Sequence, residues 1–148
     1  MQLSPHFTLE ELTFSAAALR KGLSNAPDAG QVSNLMRLTN GLLEDVRAIL
    51  GVPLHIDSGF RSPAVNSLIG GAPTSAHMEG RAADIIPVGA KLENCFNALR
   101  TNLKNYDQII IECNAWIHVA IPKMGVEPRL MAMTAWGAPG NWRYVNVV

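Results

Sequence analysis

The chain has 148 residues, 48% of them apolar and only 16% charged, which fits one folded domain with a sizeable core and excludes a disordered chain. Twelve basic residues balance twelve acidic ones and form no Lys/Arg run, so nucleic-acid binding driven by phosphate neutralisation has no support. No apolar stretch approaches membrane-spanning length, and Met1-Gln2-Leu3-Ser4-Pro5 opens no basic-then-apolar leader, so a product made in the cytoplasm without a signal peptide or membrane insertion is expected.

Thr8-Leu9-Glu10-Glu11 has the form of a capping box, so a short helix begins there. His6, just before it, lies near a terminus expected to fray and is given no role. Ala-rich residues 15–19 predict another turn or two before Gly22, and residues 24–30 a polar loop. Over residues 31–50, Val32, Leu35, Met36, Leu42, Leu43, Val46, Ile49 and Leu50 recur at spacings of three and four, predicting one long amphipathic helix stopped by Gly51 and Pro53. Residues 54–57 read as a short strand leading into Ser58-Gly59-Phe60-Arg61; its His55 reads as a packed core histidine. Ser62 then Pro63 is an N-cap followed by a first-turn proline, and Gly70-Gly71 closes that helix without any phosphate-loop pattern.

Residues 82–86 predict a second strand, ended by Pro87. Leu92, Cys95, Phe96, Leu99 and Leu103 give another helical stripe. Residues 109–112 and 116–121 read as two strands of a hairpin joined by Cys113-Asn114-Ala115. Cys95 and Cys113 have no CxxC partner, so both are expected to be buried free thiols rather than a disulfide or thiolate metal site. The tail carries Trp136, Trp142 and Tyr144, and residues 144–148 predict an edge strand. Helices precede the hairpin, so the class is α+β, with helices packed on a small, mainly antiparallel sheet in a single domain over residues 1–148.

Hydrolytic zinc sites use three nitrogen or oxygen ligands and leave one position for water. Histidine is scarce here, at His6, His55, His77 and His118. His77 is separated from Asp84 by a glycine-bearing turn, across which a loop imidazole and a strand carboxylate converge on one ion. The small residues Gly80, Ala82 and Ala83 are expected to leave room for that ion. In the alternating segment Trp116-Ile117-His118-Val119-Ala120-Ile121, His118 shares a face with Trp116 and Ala120. Glu112 closes the preceding strand, where the hairpin brings it near His118 as a candidate general base. Taken singly, each residue also fits a plainer role: a core histidine, a loop histidine, a turn-capping aspartate, a solvated strand end.

Ser75-x-His77-x-x-Gly80-x-Ala82-x-Asp84 resembles the SxHxxGxAxD signature of the M15 zinc peptidases, which include D-Ala-D-Ala carboxypeptidases, dipeptidases and phage L-alanyl-D-glutamate endolysins. Tyr106-Asp107-Gln108-Ile109-Ile110-Ile111-Glu112 followed by Trp116-Ile117-His118-Val119 resembles the second half of the pattern. Phe7-Thr8-Leu9-Glu10-Glu11-Leu12 and Ser58-Gly59-Phe60-Arg61-Ser62 are similar to the compact phage and prophage branch of that family. Glu112 precedes the last histidine by six residues, against three in some relatives, which matches the phage-type branch. The resemblance implies a hedgehog/D-Ala-D-Ala peptidase-like fold and one Zn2+ held by His77, Asp84 and His118, with Glu112 as base. It implies that Arg61 holds an oxyanion or a substrate carboxylate. Ser75 either bonds the ligands or substrate or stabilises its turn, and Trp116 either walls the substrate cleft or packs in the core.

The substrate implied is the peptide of bacterial peptidoglycan, cut by a monomeric endolysin, or carboxypeptidase, that reaches the wall by holin-type release or as a virion component. Residues 69–74 and 124–129 are the loops expected to set which bond is cut. Two rivals remain open: a non-catalytic metal-binding virion or wall-binding module of the same fold, and a small interaction domain without metal.

Overall fold

The computed structural model describes residues 1–147. The chain runs through β1 (Gln2–Ser4), β2 (Phe7–Thr8), α1 (Leu9–Thr13), α2 (Ala16–Lys21), α3 (Ala29–Leu38), a wide π-turn (Thr39–Leu43) and α4 (Glu44–Leu50). There follow β3 (Leu54–Ser58), α5 (Pro63–Leu68), a 3-10 turn (Ala76–Glu79), β4 (Ala82–Pro87), α6 (Leu92–Asn102), β5 (Gln108–Glu112), β6 (Trp116–Ala120), β7 (Met131–Ala138) and β8 (Asn141–Asn146). Strands β3 to β8 form one six-stranded sheet in the order β3-β4-β6-β5-β7-β8. All of its pairings are antiparallel except β5 with β7, which is parallel. The α+β class holds, and the expected hairpin of β5 and β6 sits inside a six-stranded, mainly antiparallel sheet.

The period-two alternation of the strands splits the sheet into two chemically different faces. Ala83, Ile85, Ile109, Ile111, Ile117 and Val119 point to one side, where they pack with Leu35, Leu38, Leu42, Phe96 and Leu99 from the helices. Full burial of such a side chain contributes about 1.5–3 kcal/mol, so this layer is the main source of stability. The register sets the other face. Asp84 lies opposite His118, His118 opposite Ile110, and Ile110 opposite Met133. The neighbouring row runs Trp116, Glu112, Ala135, Tyr144. This second face carries polar residues beside a small cluster of Ile110, Met133 and Ala135.

Local signals match the elements closely at several points. Thr8 and Glu11 form the reciprocal capping box, Ser62 caps α5 with Pro63 in its first turn, and Gly22 and Gly51 end their helices in the left-handed conformation. The helix expected over residues 31–50 is instead α3 and α4 joined by the π-turn. Its extra residue per turn shifts the buried stripe, so Leu38 is buried while Met36 is 46% exposed. The Thr39 hydroxyl there donates to the Leu35 carbonyl at 3.0 Å.

The N-terminus is tied down rather than frayed. The β1–β2 hairpin is held by Asn40 Nδ2 donating to the Leu3 carbonyl, while His6 and Ser4 both bond Glu44. His55 lies on the exposed side of β3, not in the core, and Cys113 is exposed in the β5–β6 turn, not buried; Cys95 is buried as expected. The edge strand is β8, preceded by an unexpected β7; Val148, the last position of the expected strand, lies outside the described residues.

Candidate metal centre

Asp84 and His118 reach one place because β4 and β6 pair with those two residues directly opposite. His77 comes to them from the 3-10 turn, which other elements hold from behind. Gln31 and Asn34 of α3 donate to the carbonyls of Met78 and Glu79 at 3.1 and 2.8 Å. Gly80, in the left-handed region, lets that turn close against α3: a Cβ there would lie 2.6 Å from the Gln31 carbonyl oxygen. Its smallness therefore serves helix contact rather than room for an ion, and Ala83 faces the helical core. The Ser75 hydroxyl accepts from the His77 amide at 3.3 Å and so caps the turn.

Three buried candidate ligand atoms result. Asp84 Oδ1 lies 2.9 Å from His118 Nδ1 and 3.2 Å from His77 Nε2, and the two ring nitrogens are 3.2 Å apart. Three ligands about 2.0–2.1 Å from a tetrahedral zinc ion lie roughly 3.3 Å from one another, so the triangle has the size of one face of a zinc shell. Among the described residues these are the only grouping of three such side chains able to hold a metal.

The His77 Nδ1–H donates to the Gly59 carbonyl at 2.7 Å, which fixes the tautomer and leaves Nε2 with a free lone pair. Gly59 is a residue that sequence reasoning passed over. It sits against the end of α1, where the Phe60 amide donates to the Leu12 carbonyl at 2.6 Å. Asn25, also passed over, clamps the same segment by donating to the Thr13 and Phe60 carbonyls and accepting from the Ser62 amide. The residue types alone, a glycine and a loop asparagine, gave no signal of these roles.

Burial pushes the Asp84 carboxyl up, but the charge of His77 and the hydrogen bonds from His118 and His77 overrule it and leave it far below the usual carboxylate range. Burial lowers His77, against the pull of Asp84. Burial also works against the His118 cation, yet its hydrogen bond to Asp84 raises it overall. Arg61 backs the cluster, its Nη2 donating to Asp84 Oδ2 at 2.9 Å and its Nε to Ser58 Oγ at 3.0 Å. Two of its three nitrogens thus serve the ligand carboxylate and its loop.

Glu112 stands on the same sheet face, one row along from His118 and diagonal to it. Diagonal neighbours are about 7–8 Å apart at Cα, which leaves room for a water between carboxylate and ligands. Burial raises its carboxyl above the ordinary glutamate range, and the charge of His118 offsets this only in part. The Trp116 indole N–H donates to Glu112 Oε2 at 2.8 Å, which leaves Oε1 without a hydrogen-bond donor among the described residues.

Asp84, His77, His118, Glu112, Trp116, Arg61 and Ser75 all line one cleft of about 1250 Å³. Residues 69–74 form one bank, as expected; of residues 124–129 only Arg129 reaches it, paired through Nε and Nη2 with Asp107. The β7–β8 hairpin forms the other bank. The two banks touch where Gly70 meets Pro139, since a Cβ on Gly70 would lie 2.6 Å from the Pro139 Cβ.

A family model described as Peptidase M15 matches residues 5–120, which include Arg61, Ser75, His77, Asp84, Glu112, Trp116 and His118. No curated protein matches the chain.

Proposed function

Because the chain belongs to the peptidase M15 family, we propose that it is a zinc-dependent peptidase that hydrolyses the stem peptides of bacterial peptidoglycan, as a phage or prophage endolysin does. The observation that carries this reading is the triangle of His77 Nε2, Asp84 Oδ1 and His118 Nδ1 in a cleft floor, with the Glu112 carboxylate one row away. Zinc, when bound there, supplies a Lewis acid that polarises the scissile carbonyl and makes water acidic enough to lose a proton near neutral pH.

The protein's own groups do the rest. Glu112 takes the proton of the attacking water on Oε1 and returns it to the leaving amine, while Trp116 holds the other oxygen in place. Arg61 orients Asp84 by donating to Oδ2, and its remaining Nη1 offers a cation to a substrate carboxylate. His77 keeps its ligating nitrogen unprotonated through Gly59. Water is the nucleophile, so no covalent peptide–enzyme adduct forms. On this reading the protein meets its substrate in the wall, after release through a phage-encoded membrane hole or as part of a virion.

The test is mass spectrometry of purified peptidoglycan incubated with the protein, with and without a chelator, beside Glu112→Gln. Wild type is expected to release peptide fragments whose ends identify the bond cut, and the chelator to stop it. Glu112→Gln is expected to keep its zinc and lose about 10²–10⁴ in rate, the usual size of general-base catalysis. Undigested wall with zinc-loaded wild type would rule out the peptidase reading and favour a wall-binding module.

A further inference from the structure

Peptide hydrolysis places new negative charge on the oxygen of the scissile carbonyl, and a donor aimed at that oxygen acts mainly in the transition state. Arg61 is poorly free for this work, with Nε and Nη2 held by Ser58 and Asp84. The opposite bank offers another donor. Tyr144 on β8 lies in the same row of the sheet as Glu112, with only Ala135 between them. Two strand spacings, about 10 Å, separate their backbones. Side chains of one row point to one face, so Tyr144 and Glu112 share the face that carries Asp84 and His118.

Three further facts agree. Tyr144 lines the same cleft as the three ligands. It is 51% exposed, and its hydroxyl makes no hydrogen bond among the described residues. Burial raises its phenol, and the charges of Glu112 and Asp84 push it the same way, so the proton stays on the oxygen at neutral pH and the ring lies within electrostatic reach of both carboxylates.

We propose that Tyr144 is a further catalytic residue, whose phenolic hydroxyl donates a hydrogen bond to the scissile carbonyl oxygen as it becomes an oxyanion. The proposal rests on the peptidase reading above. It lies beyond residue 120, where the family match ends, so the family assignment does not supply it. No proton is transferred by Tyr144; proton movement stays with Glu112.

The test compares zinc-loaded wild type with Tyr144→Phe, which keeps the ring and removes only the oxygen. Two quantities are read: kcat and KM on stem peptides, and affinity for phosphinate isosteres of the L-Ala–D-Glu and D-Ala–D-Ala dipeptides, which present a tetrahedral anion. Loss of one oxyanion donor costs about 10²–10³ in a fully enclosed site; for a half-exposed donor a kcat loss of about 10–100-fold is expected. KM, zinc content and melting temperature stay near wild type, and phosphinate affinity falls by a factor similar to kcat. Unchanged kcat and phosphinate affinity in Tyr144→Phe overturn the assignment. If wild type cuts no wall peptide, the peptidase reading falls on its own, and the phosphinates still decide on Tyr144: tighter binding by wild type supports it, equal binding by both proteins or by neither overturns it.

Discussion

Replacing Gly59 with alanine tests how the floor of the cleft is held. Gly59 supplies the carbonyl that accepts from His77 Nδ1, and the amide after it bonds Leu12 at the end of α1. A methyl on Gly59 would fall 2.2 Å from the Leu12 carbonyl oxygen, 2.8 Å from its carbon and 2.9 Å from its Cα. These are backbone atoms, which cannot rotate away as a side chain does. The φ of Gly59 is not in the left-handed region, so the cost is steric alone. Relief requires α1 and the 58–61 segment to part, which carries the Gly59 carbonyl away from His77. Overpacking of this kind costs about 1–3 kcal/mol, which lowers the melting temperature of a domain this size by roughly 2–12 °C. Losing the partner that orients a ligating histidine costs about 10–100-fold in metal affinity. Thermal melting with and without zinc, and competition against a chromophoric chelator, measure both. Gly41→Ala is the matched control, because nothing lies within 4 Å of its Cβ; it is expected to leave zinc affinity unchanged. A Gly59→Ala protein that melts and holds zinc like wild type refutes the idea that α1 positions the metal ligands.

Zinc itself is expected to stabilise the fold by about 2.7 kcal/mol at a hundredfold excess over its Kd, and a chelator to abolish the gain; melting curves check this, and His118→Ala should show no zinc-dependent shift. Trp116→Phe removes the hydrogen bond to the Glu112 carboxylate, a bond that favours the charged form. The acid limb of its kcat/KM profile is therefore expected at higher pH than that of wild type, and superimposable limbs would contradict the role of Trp116. Hydrogen bonds from Arg129 hold the Asp107 carboxyl below the usual carboxylate range, against its burial. A depressed folded-state pKa gives stability that is complete above about pH 4 and shrinks as the pH falls below it. Asp107→Asn is thus expected to cost about 1–2 kcal/mol at pH 7 and less at pH 3 in urea denaturation, the part from the bonds to a charge being what titrates away.

Much of this architecture is legible locally. Capping boxes, the Ser62-Pro63 helix start and the alternation of β5 and β6 act over a few residues, so the sequence displays them. Singly, His77, Asp84, Glu112 and His118 each fit a plainer role; they stand out together because Ser75-x-His77-x-x-Gly80-x-Ala82-x-Asp84 and the later Glu112 and His118 follow a family pattern. The failures share a different cause. Strands β1 and β2 are three and two residues long, too short to show any period. Strand β7 reads Met-Ala-Met-Thr-Ala-Trp-Gly-Ala, poor in β-branched residues, and takes its conformation from pairing with β5 and β8. The π-turn preserves an apolar stripe while changing its phase. Gly59, Asn25 and Gly80 act through close backbone approach between segments distant in sequence, which no local pattern encodes.

The meeting of Gly70 with Pro139 has a bearing on how a polymer gains entry. It joins the 69–74 segment to the β7–β8 hairpin, so the two banks of the cleft meet there and leave no gap between them at that point. The contact is made by a left-handed glycine and a proline ring, which yield less readily than a long flexible side chain, so passage at that point depends on movement of the two segments as wholes.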